Sequence, residues 1–95
     1  MASILTTAEA ANVLRTTQDD QTMLDLLPQV DAYIKNATGR DWTLDTPISP
    51  EAKSAARMLL VRWHEDPGQM AAGTLTFGLT AALVQLEAIA LELAQ

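Results

Sequence analysis

The stretch "SPEAKSAARMLLVRWHED", Ser49 to Asp66, decides the fold. Ser49 is a helix cap, Pro50 takes the first helical position, where a missing N–H is no loss, and Glu51 suits the positive end of the helix dipole. "PG" follows the last turn and stops it. At about 100° per residue, Ala52, Ala55, Ala56, Leu59, Leu60 and Trp63 fall on one continuous apolar face. That face is a core face. His64 lands just outside it, on the strip shared with Lys53 and Arg57, while Met58 and Val61 interrupt the polar side.

Outward from this helix, the rest of the chain reads as helical too. In "TTAEAANVLR", Thr6 stands three residues before Glu9, a capping-box spacing, ahead of a short apolar face of Ala10, Val13 and Leu14. "TTQDD" is a polar break in which Asp19 or Asp20 can cap a second helix. Met23, Leu27, Val30, Ile34 and Ala37 then alternate at spacings of four and three until Gly39 ends the run. Pro28 interrupts that stripe, deleting one backbone hydrogen bond and crowding the carbonyl of Leu24, at about 3 kcal/mol in a regular helix interior. The second helix is therefore kinked or split at Pro28, and the unbroken phase of the stripe favours the kink. "RDWTLDTP" reads as a loop. The final segment, "LTAALVQLEAIALELAQ", carries Leu79, Leu83, Leu86, Ala90 and Leu93 on one stripe. The expected fold is all-α, a small bundle of about four helices, with a core that includes Leu27, Val30, Ile34, Leu59, Leu60, Trp63, Leu83 and Leu86.

A chain of 95 residues makes one small domain, 1–95, with 87–95 as a C-terminal helical extension. At this size roughly 60 to 65% of the unfolded surface is buried. Four aromatic residues leave the core to Leu, Ala, Val, Ile and Met, a helix-favouring mixture. The absence of cysteine excludes disulfides and thiolate chemistry. The start, "MASILTTAEA", lacks the basic region and apolar run of a secretory signal, which fits a cytoplasmic product.

Charge is unevenly spread. Residues 1–62 hold all six Lys and Arg against eight Asp and Glu, whereas 63–95 hold four carboxylates and no Lys or Arg. Nucleic-acid binding draws its affinity from clustered cations, and these six are scattered. Residues 67–86 carry no charge at all, yet their glycines, threonines and proline break the continuous apolar run that a membrane span needs.

"RWHEDPG" contains the only histidine, beside Glu65 and Asp66, and invites a catalytic or metal-binding reading. Helical ligand pairs stand three or four residues apart, and one turn before His64 are Leu60 and Val61. A structural histidine near a helix C-terminus is the expectation, with Arg62 able to pair with Asp66 one turn on. No glycine-rich phosphate loop or nucleophile elbow is present, so catalytic residues, metal ligands and cofactors are expected to be none.

Apolar residues are in surplus. Val84 and Leu91 lie opposite the main stripe of the last helix, as Met58 and Val61 do on the third, and one small core cannot bury both faces. The uncharged loop "PGQMAAGTLTFG" adds Met70 and Phe77 to the residues expected at a contact with a neighbouring subunit or partner.

Together, "DAYIKNATGR", "AARMLLVRWHEDP" and "FGLTAALVQL" resemble the small head-tail connector proteins, also called head-completion or adaptor proteins, of long-tailed bacteriophages. The resemblance runs from about Thr7 to Leu86 and lies in the order of parts: a short opening helix, an acidic "DD" break, a Tyr33-Ile34 helix ending in Thr38-Gly39-Arg40, an apolar helix ending in Trp63, then a loop and "FG" before the last helix. His64 stands where a tyrosine is frequent, and no proline precedes Phe77. The resemblance implies a virion protein, assembled in the host cytoplasm, that forms a homo-oligomeric ring below the portal protein. Such a ring extends the channel through which genomic DNA passes without specific binding, and it gives a tail-side connector or stopper protein its platform. It implies no catalysis and no membrane. The readings that compete with it are a small helical protein-interaction or DNA-binding regulator and a small enzyme using His64.

Overall fold

The computed structural model describes residues 3–45, 47–65 and 77–93, with the side chains of all but 77–79. Four α-helices, α1 (Thr7–Leu14), α2 (Gln21–Thr38), α3 (Pro50–Glu65) and α4 (Phe77–Leu93), together with a 3-10 turn at Trp42–Leu44, form a small all-α bundle. There is no strand among the described residues. α2 and α3 are the central pair, each packed on both α1 and α4.

α1, α2 and α3 each start where capping chemistry places them. The Thr6 hydroxyl accepts from the Glu9 N–H at 3.1 Å and a Glu9 carboxylate oxygen accepts from the Thr6 N–H at 3.0 Å, completing the capping box of α1. Asp20, not Asp19, caps α2 by accepting from the Met23 N–H. Ser49 caps α3 more loosely, its hydroxyl 3.5 Å from the Ala52 N–H while it donates to Glu51. At the other end of α2, Gly39 adopts φ 77° and turns its N–H back to the Lys35 carbonyl. A Cβ on Gly39 would meet nothing within 4 Å, so the left-handed backbone alone calls for glycine there. α1 ends in the same conformation with Arg15 in place of glycine, at φ 56°.

Of the two outcomes open at Pro28, the split does not occur: α2 runs unbroken through the proline, in keeping with the favoured reading of one continuous helix. Pro28 is exposed, so its ring faces water rather than a neighbouring helix. Met23, Leu26, Leu27, Val30 and Ile34 are buried on either side of it, and their packing offsets the lost hydrogen bond. Ala37, expected on the buried stripe, is exposed, and Thr38 takes the inward position. The reason is polar. The Thr38 hydroxyl donates to the Ile34 carbonyl at 2.7 Å and accepts from the Trp42 indole N–H at 2.9 Å, which satisfies a buried donor that an alanine would leave bare.

Trp42 is the largest fully buried side chain, although its segment reads as a loop in the sequence. Asp41 caps the 3-10 turn through the Thr43 N–H, and the Arg40 guanidinium lies 5.3 Å above the Trp42 ring while pairing with Asp45. Ile4 and Leu5, ahead of α1, are equally buried. Asp31 accepts from the Ile4 N–H and Lys53 donates to the Ile4 carbonyl, so two charged side chains hold this irregular segment by its backbone.

The α3 face is buried as its spacing predicts: Ala52, Ala55, Ala56, Leu59, Leu60 and Trp63 all lie in the core, with Trp63 edge-on to Tyr33 at 5.3 Å. On α4, Leu83, Leu86 and Ala90 are buried and Ile89 packs against them, so the helix remains part of the bundle well past Glu87. Leu93, in phase with that stripe, is exposed because it lies at the last turn.

Leu59 has no exposed surface, so Leu59→Ala should lower stability by about 2 to 5 kcal/mol, read as a urea midpoint shift at unchanged slope. An unshifted midpoint would contradict the packing of α3.

Candidate interaction surface

Chemistry-bearing side chains come first. The last turn of α3 puts Trp63 in the core and leaves His64 half-buried at its edge, with Nε2 3.3 Å from an Asp20 carboxylate oxygen. Asp20 is the cap of α2. Its carboxylate accepts from the Met23 N–H and from the Thr16 hydroxyl as well as facing His64, and these partners, Met23 first, hold it below the usual carboxylate range. The pair thus ties the C-terminal turn of α3 to the first turn of α2. Glu65 is exposed, and the pairing of Arg62 with Asp66 falls outside the described residues. No cluster of three His, Asp or Glu side chains able to hold a metal ion occurs among the described residues.

A second polar cluster joins α1 to α3. Lys53 and Arg57, one turn apart on the α3 strip noted above, reach Glu9 at 2.6 and 3.7 Å. The Lys53 ammonium, followed by the Thr6 N–H, pulls the Glu9 carboxyl down to about 2. Asp31 behaves in the opposite sense: burial pushes its carboxyl up, against the lowering effect of its hydrogen bonds from Ile4 and Ser3.

The residues expected at a subunit contact are distributed over two helices. Met58, Val84 and Leu91 are exposed, at 45%, 62% and 61%, and Val61 is half-buried beside Met58 on α3. Val84 and Leu91 are seven residues apart, two turns of α4, and therefore share a side. Phe77 opens α4 but its side chain, like Met70 entirely, lies outside the described residues. Two exposed leucines escape sequence reasoning. Leu44, 78% exposed, sits in a three-residue turn with no periodicity to betray it, and Leu93 is in phase with a buried stripe yet past the end of its cover.

Each of these leucines borders a groove. One, of about 370 Å³, lies between α2 and the 3-10 turn and is lined by Pro28, Asp31, Ala32, Lys35, Asp41, Thr43 and Leu44. The other, of about 380 Å³, is lined by Arg40, Trp42, Asp45, Pro47 and Ser49, with Ile89 and Leu93 of α4. No described helix is long and apolar enough to cross a membrane.

The Glu9 cluster makes acid stability testable. Because the folded carboxyl titrates below its ordinary value of 4.5, its contribution is complete above that pH and is lost as pH falls towards 2. Glu9→Gln should lower stability by about 1 kcal/mol at pH 7, from the weakened ion pair and cap, and should match the wild type near pH 2. Urea midpoints at the two pH values check this, and an equal deficit at both would show that the charge of Glu9 is not what binds α1 to α3.

No protein-family model, curated protein or solved structure matches the chain.

Proposed function

We propose that this chain is a structural virion protein, a head-tail connector of a long-tailed bacteriophage. In this reading it joins a homo-oligomeric ring below the portal protein, prolongs the DNA channel and carries the tail-side connector or stopper protein. The observation that carries the reading is the exposure of Met58, Val84 and Leu91 on the outer sides of α3 and α4. Exposed apolar side chains on two different helices suit a heterologous interface, in which one side of a subunit meets the other side of its neighbour. The resemblance in the order of sequence motifs names the assembly in which such an interface serves.

Two further features favour the connector over its rivals. Arg40 is engaged by Asp45, and Lys53 and Arg57 by Glu9, so half of the cations are committed within the fold rather than offered to phosphates, against what a DNA-binding regulator needs. The acidic balance suits a conduit, since negative walls repel the DNA backbone and let it slide. His64 and Asp20 join two helix ends, and the proposal gives them no chemical step.

Val84→Asp with Leu91→Asp tests the proposal. Both positions are exposed, so circular dichroism and the thermal midpoint should stay those of the wild type, while each new carboxylate would be desolvated in a ring contact. In a phage lacking its own copy of the gene, the wild-type chain should restore infectious particles and the folded double variant should leave DNA-filled heads without tails. A normal titre from the variant would overturn the assignment of these faces to the ring.

A further inference from the structure

Four of the six cations of this chain have partners inside the fold. Arg40 pairs with Asp45, Lys53 and Arg57 with Glu9, Arg62 is engaged, and Lys35 stands in the wall of the groove between α2 and the 3-10 turn. Arg15 differs. It is exposed and pairs with no carboxylate among the described residues. Its backbone is nevertheless fixed, because it occupies the left-handed cap of α1 with its N–H turned back to the Ala11 and Asn12 carbonyls. A non-glycine residue in that conformation is uncommon, and here it carries a guanidinium with no carboxylate partner among the described residues at the end of α1.

The groove is the complement. Two carboxylates, Asp31 and Asp41, line it with only Lys35 against them, and its apolar wall is Pro28, Ala32 and the exposed Leu44. Burial disfavours the ionised form of Asp31 against the hydrogen bonds from Ile4 and Ser3, the charge of Asp41 adds a smaller push the same way, and a cation in the groove would favour the carboxylate. An arginine suits the site on both counts, since its planar fork binds carboxylates and its stem lies on apolar surface.

The geometry points to a contact between two copies of this chain, in which Arg15 of one copy enters the groove of the next between Asp31 and Asp41, its stem against Leu44 and Pro28. The donor and the acceptor are different patches, so the contact is heterologous, as a ring requires. This rests on the self-assembling connector reading and specifies one of its contacts, separate from the apolar faces of α3 and α4.

Sedimentation velocity of the full chain over a concentration series, at low and high salt, tests it. The wild type should associate, and more weakly at high salt. Arg15→Asp, Asp41→Arg and Leu44→Glu should each weaken association about tenfold or more, with thermal midpoints as folding controls. Mixing Arg15→Asp with Asp41→Arg in equal amounts should restore association, because the mixture offers one native contact and one with its charges exchanged. A folding defect cannot produce that recovery. Arg15→Asp associating like the wild type, or failure of the mixture to recover, overturns the contact. If Val84→Asp with Leu91→Asp still abolishes association in that case, the ring reading survives without it, whereas a wild type monomeric at every concentration removes both.

Discussion

Burial of the small-residue face of α3 is the constraint on which the rest of the structure depends. Ala52, Ala55 and Ala56 have no exposed surface, and neither do Leu59 and Leu60 one turn further on. Three alanines in the first half of the helix let neighbouring backbones approach closely, and in this half Lys53 and Arg57 reach Glu9 of α1 and Lys53 the Ile4 carbonyl. The leucines and Trp63 in the second half lie in the same core, Trp63 edge-on to Tyr33 of α2. A larger residue at any of the alanines would push a flanking element outward, because an interior at crystal-like density has no slack to absorb it.

Polar ties then fix what packing leaves adjustable. α1 is held to α3 by Glu9 with Lys53 and Arg57, and α2 is held to α3 by Asp20 with His64. Asp20 and Glu9 each serve twice, as a cap or capping-box member of one helix and as the partner of a cation or imidazole on another. Local and tertiary structure are coupled through the same carboxylates, so these helix ends cannot fray without loosening the bundle.

What was legible in the sequence follows from this division. Periodic segments with caps were readable: the α3 face matches residue for residue, the Thr6-Glu9 box forms, and Gly39 ends α2. The exposure of Val84 and Leu91 was readable as well, since residues out of phase with a buried stripe have nowhere else to go. Trp42, Ile4 and Leu5 were not, because they lie in irregular segments where no repeat distinguishes a core residue from a loop residue. Thr38 was missed because its inward position depends on an indole N–H supplied from the next turn of chain. The Asp20–His64 and Glu9–Lys53 pairs span 44 residues, and one sequence carries no signal of such a distance.

The distribution of charge shapes what kind of surface remains. In the front two thirds, Arg40 pairs with Asp45 and both Lys53 and Arg57 with Glu9, and Arg15 and the Asp31–Asp41 groove are among the described groups left without such a pair. α4 has no cation at all, and its outer side mixes exposed Val84 and Leu91 with Glu87 and Glu92. Self-association through α4 alone would bring these carboxylates towards each other, and at a face-to-face contact like charges repel while they are being desolvated. A contact between unlike patches avoids that penalty: the apolar side of α4 can meet the Met58 side of α3 on the next subunit, and the unpaired cation can meet the acidic groove. In the proposed ring, a net charge of -6 opposes any contact between like-charged patches, and contacts between unlike patches close into a ring when the rotation between neighbours permits.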